Sequence, residues 1–222
     1  SDIVMSGGVY HLADEAGLGC SLFQTPFFLC ITRNLRIRAA AGATVVLEGG
    51  KKGGVACIGG AAPPFVSVIA SLEGLEITNG SVTDSPWGSV IVNMGGSTLT
   101  ITSTSVHDNI GWGSAIYNDG GAGSTDPPST LTITNSEVFM NNGTMNSGGG
   151  IYSAGILTIT NSSIHHNSCD GGAGGGITNA DGNLTVIDSE VNNNYAGVDG
   201  GGIFNSVIYM NSGSADIISS NI

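Results

Sequence analysis

The sequence predicts an all-β fold: a right-handed parallel β-helix, or solenoid, of about six or seven coils with an N-terminal cap. Three observations lead there. A degenerate block begins at residues 99, 131, 157 and 184, reading LTITSTSVHDN, LTITNSEVFMN, LTITNSSIHHN and LTVIDSEVNNN; the intervals of 32, 26 and 27 residues are those of one stacked supersecondary unit. Within LTIT the apolar residues alternate with threonine, the period of a strand with one buried and one exposed face, and no stretch carries a helical period. The 37 glycines and only six prolines, with Asn, Ser and Asp between the apolar runs, supply the corners.

Residues 1–34 break the repeat and are expected to form the N-terminal cap and first rung, and residues 35–222 the repeats. Leu35–Arg38 followed by TVVLEG is an early, irregular coil. ASLEGLEI from Ala70 then falls on the LTITNSSI template. A second element follows each block after a polar loop: GSAIYN ending at Asn118, GGGIYS at Ser153, GGGITN at Asn179 and GGGIFN at Asn205. The expected inward set of one coil is Leu157, Ile159, Ile164 and Ile177, with Leu131, Ile133, Val138 and Ile151 as its equivalents in the coil before. ADIISSNI from Ala215 repeats the template and stops in mid coil, so further chain or a neighbouring subunit is expected to cover that rung.

Two asparagine files follow from the alignment. Asn109, Asn141, Asn167 and Asn194 occupy one corner and Asn93, Asn118, Asn179 and Asn205 another. Asparagine tolerates left-handed backbone, and stacked amides bond along an axis, so both files are expected to be architectural.

The motif pair resembles the FxxN and GGA(I/L) repeat of polymorphic outer membrane proteins. Val106 to Asn109, Val138 to Asn141, Ile164 to Asn167 and Val191 to Asn194 carry the first element, and Gly149–Ile151, Gly175–Ile177 and Gly201–Ile203 the second. The resemblance covers about residues 70–222 and implies the pectate-lyase-like, right-handed β-helix group. This chain uses Val or Ile where that family prefers Phe.

Charge narrows the function. The net charge is -12, all five basic residues lie in the first 52 positions, and residues 53–222 hold thirteen acidic residues with no Lys or Arg. Phosphate binding rests on cations, so no nucleic-acid partner is expected; lyase chemistry on polyuronates lacks its base. Glycoside hydrolysis would need two carboxyl groups about 5 to 10 Å apart across one bond. The candidates are Asp108, Asp126, Asp170, Asp181, Asp188 and Asp199, with His107, His165 and His166 as proton carriers. Their aligned positions disagree with that role: Asp108 is matched by Met140, His166 and Asn193, and Asp188 by Asn135 and Asn161. They read as solvated corners, and no catalytic residue is assigned.

No cofactor or metal site is expected either. His165 and His166 are adjacent and, as consecutive strand residues, should point to opposite sides. Asp170-Gly-Gly and Asp199-Gly-Gly lack the nonapeptide setting of calcium β-rolls. Of the four cysteines, Cys20 and Cys30 are close enough to close a loop in the cap, Cys57 and Cys169 lie far apart in sequence, and there is no CxxC. With the acidic composition, a cap disulfide fits an extracellular, cell-surface or organelle-lumen protein. No run reaches the length of a membrane span.

Two outward files remain as candidate binding surfaces. Thr100, Thr132 and Thr158 with Thr185, beside Thr102, Thr134 and Thr160, form a Thr-x-Thr array resembling the ice-binding faces of some β-solenoid antifreeze proteins; good β-propensity also explains the threonines. Tyr117, Tyr152 and Phe204 follow the inward isoleucines and should face outward, where they would bind sugar rings or dock a protein, or simply stack on one another. The expected function is a non-catalytic structural or adhesive module with protein or carbohydrate-surface partners. A carbohydrate-active protein is the alternative.

Overall fold

The computed structural model describes residues 1–11, 20–22, 25–51, 53–59, 66–83, 89–121, 126–144, 146–206 and 214–222. They form an all-β, parallel solenoid of about six turns, with no helix among them. Three long sheets run along its axis. The first contains Asp2–Met5, Leu35–Ala39, Ile69–Glu73, Thr98–Thr102, Thr130–Thr134, Ile156–Thr160, Asn183–Ile187 and Ser214–Ile218 in that order. The second runs from Gly8–His11 through Ser105–His107, Glu137–Phe139 and Ser163–His165 to Glu190–Asn192. The third includes Gly54–Ile58, Ser89–Asn93, Ser114–Asn118, Ile151–Ser153, Ile177–Ala180 and Ile203–Ser206.

Register follows the repeat alignment. Leu99 pairs with Leu131, Leu131 with Leu157 and Leu157 with Leu184, and Val106, Val138, Ile164 and Val191 form the matching file in the second sheet. These residues, with Ile116, Ile151 and Ile177 from the third sheet, make one continuous buried core. A one-residue slip would turn every inward side chain out, so the alternating pattern holds the register by itself.

Of the cap and first rung expected in residues 1–34, the rung is present, and a cap is not shown among the described residues. Asp2–Met5 pairs in parallel with residues 36–39, and Gly8–His11 with residues 45–48, so the chain begins with an ordinary rung. Alternation accounts for this: Ile3 lies in register with the buried Ile37, as any repeat residue would. The irregular piece is Cys20–Leu22, which pairs antiparallel with Thr25–Ile31. Residues 12–19 and 23–24 of the expected cap lie outside the described residues.

Three side-chain ladders hold the corners. The Nδ2 of Asn109, Asn141 and Asn167 donates to the Oδ1 of the next asparagine at 3.0, 2.9 and 3.0 Å, ending at Asn194, and each Oδ1 also accepts the preceding backbone N–H. The same amides donate to the Ile77, Val106 and Val138 carbonyls. In the second file Asn93 donates to Asn118 and Asn179 to Asn205, while Ser153 accepts from Asn118 in the rung between. The third ladder, of hydroxyls, was not anticipated. Thr104, Ser136, Ser162, Ser189 and Ser220 each accept a backbone N–H from the rung before and donate to the carbonyl two residues back. These ladders pair backbone groups that a tight buried corner would otherwise orphan.

Glycine has two separate duties in GGGI. Gly148, Gly174 and Gly200 adopt positive φ, at 73°, 70° and 60°. In the next position a Cβ on Gly149 would collide with the Ser168 and Gly175 carbonyls. Coil length varies most between the third and first sheets, which are joined by residues 119–129 in one rung but only by 154–155 and 181–182 in the next two.

Candidate functional site

Of the aspartates weighed as a catalytic pair and read as solvated corners, Asp108, Asp181 and Asp188 lie at left-handed corners. Asp108, Met140, His166 and Asn193 share one left-handed position with φ between 50° and 53°, and Asn135, Asn161 and Asp188 share another with φ of 50°, 49° and 47°. Asp, Asn and Gly are the residues that accept this backbone most readily, which accounts for the residue types without chemistry. Among the described residues no three His, Cys, Asp or Glu side chains are grouped to hold a metal ion. No helix among them is long and apolar enough to cross a membrane.

The threonine array stands in register on the first sheet. Thr100, Thr132, Thr158 and Thr185 pair in succession from rung to rung, as do Thr102, Thr134 and Thr160. Thr98 and Thr130 add a third file that the alignment overlooked, closed by Ile156. All these threonines are half-buried. Side chains of one file stand about 4.7–4.9 Å apart and the files about 6.6 Å apart.

The tyrosine column departs from expectation. Tyr117 and Tyr152 stack at 5.4 Å with planes 4° apart, so they do share a column outside the tube. Tyr117 is nonetheless only 7% exposed, in a second buried cluster with Phe27, Cys57, Val92 and Met94; Tyr152 and Phe204 are half-buried. The reason is visible in the strand composition. GVACI, SVIVN and SAIYN are buried at every position, the pattern of a sheet covered on both faces.

Burial there shifts ionisation. It pushes the Cys57 thiol up to about 12 and raises the Cys169 thiol. Tyr117 is raised by burial first and then by Asp119, whose Oδ1 accepts its hydroxyl at 3.3 Å. Burial also raises the Asp119 carboxyl, against the backbone N–H groups of Gly121 and Gly120 and the Tyr117 hydroxyl, which pull it down. Cys30 is disulfide-bonded, while Cys57 and Cys169 are buried thiols.

An aromatic column missed in the sequence lies on the second sheet. His107 stacks on Phe139 at 4.7 Å and Phe139 on His165 at 5.1 Å, with interplanar angles of 15° and 12°. The signal is present in the sequence, since VHD, VFM and IHH align, but it shows only when histidine and phenylalanine are treated as one class of ring. His165 and His166 also meet, with their Nδ1 atoms 2.9 Å apart, contrary to the expectation of opposite sides. The strand ends at His165, and the left-handed turn at His166 swings the second ring back to the same face. His107 is flanked by Glu76 at 3.2 Å and Asp108 at 2.8 Å.

Beside this column runs a file in which Glu76, Ser105, Glu137, Ser163 and Glu190 follow one another in register. Carboxylates thus occupy alternate rungs, with serine between, which avoids like charges directly opposite. Between this file and the threonine sheet lies a groove of about 430 Å³, lined by Asn135, Asn161, Asp188, Glu137, Ser163 and Glu190 together with Ser136 and Ser162 of the serine ladder. It is open, polar and acidic, and the ring stack lies on the far side of the carboxylate file, two residues further along each strand. No protein-family model, no curated protein and no solved structure matches the chain.

Proposed function

We propose that the chain is a non-catalytic adhesive or structural scaffold, exported to a cell surface or organelle lumen, whose rigid outer faces hold protein partners. Its repeats are assigned to the polymorphic outer membrane protein type within the right-handed, pectate-lyase-like group. The observation that carries this reading is where the reactive residue types sit: Asp108, His166, Asp181 and Asp188 are corner residues, and His107 and His165 are members of a stacked file. The runner-up, a carbohydrate-active protein, has Glu137 and Glu190 in its favour, two rungs or about 9.5 Å apart along the groove. Both carboxylates nevertheless belong to one file on one wall, whereas a hydrolase needs its pair on either side of the scissile bond.

Beads coated with the purified chain should be retained on protein-coated surfaces under flow, and the chain should release no reducing ends from a panel of polysaccharides. Cleavage of any of them that disappears in Glu137→Gln or Asp188→Asn would overturn the reading.

The third threonine file favours a second reading, in which the first sheet orders water and binds ice. Thermal hysteresis that is abolished by Thr132→Lys would establish it, and none at millimolar protein would dismiss it.

A further inference from the structure

We propose that the carboxylate file of the second sheet, with the groove beside Glu137 and Glu190, receives a basic peptide in the polyproline II conformation, lying parallel to the solenoid axis. The inference rests on the protein-binding reading above and names the partner's chemistry. Its basis is a match of two periods. Glu76, Glu137 and Glu190 recur every second rung, which at the strand spacing of a sheet is about 9.5 Å. A polyproline II helix has three residues per turn and rises about 3.1 Å per residue, so every third side chain returns to one face after about 9.3 Å. Other conformers do not fit: an extended strand repeats its face after about 6.6 Å and an α-helix after about 5.4 Å. A cation at every third position therefore meets a carboxylate each time, and a serine lies between successive contacts.

Two further features suit the same occupant. The half-buried ring stack of His107, Phe139 and His165 borders the carboxylate file at its three middle rungs, with Thr78 and Asn192 in the equivalent places at the ends, and polyproline II ligands dock against aromatic surfaces because their rigid rings lose little entropy there. Charge complementarity supplies the sign: residues 53–222 have thirteen acidic side chains and no Lys or Arg to compete for them. Glu137 and Glu190 are exposed and reachable by a cation.

The test is calorimetric titration of the full chain with two peptides of equal composition, (Lys-Pro-Pro)₄ and one with all four lysines placed before the eight prolines. The periodic peptide should bind about five- to tenfold tighter, a difference worth two exposed ion pairs. The paired substitution Glu137→Gln and Glu190→Gln should remove that preference while leaving the melting temperature in place. Ser163→Glu, which adds a carboxylate out of period, should tighten both peptides and narrow their ratio. Equal affinity for the two peptides overturns the inference, as does a preference that survives the double substitution, or displacement of the peptide by a neutral oligosaccharide. If the peptides fail while coated beads still adhere, only the groove's occupant is wrong; if adhesion fails too, the protein-binding reading falls with it.

Discussion

The second and third sheets each carry rings on the outside of the tube, yet one column stands half-buried beside an exposed carboxylate file and the other is sealed at Tyr117. Tyr117 sits among Cys57, Val92 and Met94, and its neighbours along the strand are buried on both sides. Phe139 sits between His107 and His165, with a strand buried only at Val138 and an exposed Glu137 two residues away. The rings are of similar size. What separates them is the adjacent file: apolar neighbours extend a covered surface, whereas alternating Glu and Ser keep water, and hence ligands, within reach.

Chemical labelling offers the widest margin for breaking this contrast. With its thiol at about 12 and no exposed surface, Cys57 in the folded chain should react with iodoacetamide at pH 8 roughly three orders of magnitude more slowly than in urea-unfolded chain. Rapid native labelling at that site would show the third sheet's outer face to be open. Next comes truncation. Tyr117→Ala should lower unfolding free energy by about 3 kcal/mol and Phe139→Ala by about 1 kcal/mol, read from denaturant midpoints; equal losses would erase the distinction between the columns.

A smaller effect is expected at the corner next to the open column. Met140 holds φ at 51° and is 54% exposed, so Met140→Asn should stabilise by about 0.5–1 kcal/mol through relief of left-handed backbone strain. A destabilised variant would mean that the methionine contributes packing instead. The smallest effect concerns Asp119 beside the sealed column. Its carboxyl is raised by burial, so the folded state holds its proton more tightly than the unfolded state does. That contribution is complete below the ordinary aspartate value of about 3.9 and is lost as pH rises through the raised one. Asp119→Asn should therefore gain on the parent protein between pH 4 and pH 7 in thermal melts, with the gap closing at about pH 3. A gap that widens in acid would contradict the sign.

Sequence was informative where a physical rule acts on neighbouring residues. Alternation in LTIT placed Leu131 and Ile133 inside, and recurrent asparagine at Asn109, Asn141 and Asn167 marked a bonded corner. The serine ladder was equally regular in TNS and IDS, but Ser136 and Ser162 look like ordinary turn residues until their hydroxyls are seen reaching the next rung. Burial of Tyr117 depends on the second cluster outside the tube, which no property of the SAIYN strand announces except its lack of polar alternation. His107, Phe139 and His165 were legible as a column only once chemically different rings were treated as one class. The groove was least legible of all, because it arises between two sheets and belongs to neither.

The unequal joins between the third and first sheets carry a last consequence. Eleven residues, 119–129, bridge a step that 154–155 and 181–182 make with two, while the asparagine bonds across the corresponding rungs stay within 0.1 Å of one another, at 3.0, 2.9 and 3.0 Å. The Asn109–Asn194 ladder is thus indifferent to the length of chain at that seam. Foreign segments grafted there would be displayed at regular heights along a rod whose pitch they cannot alter.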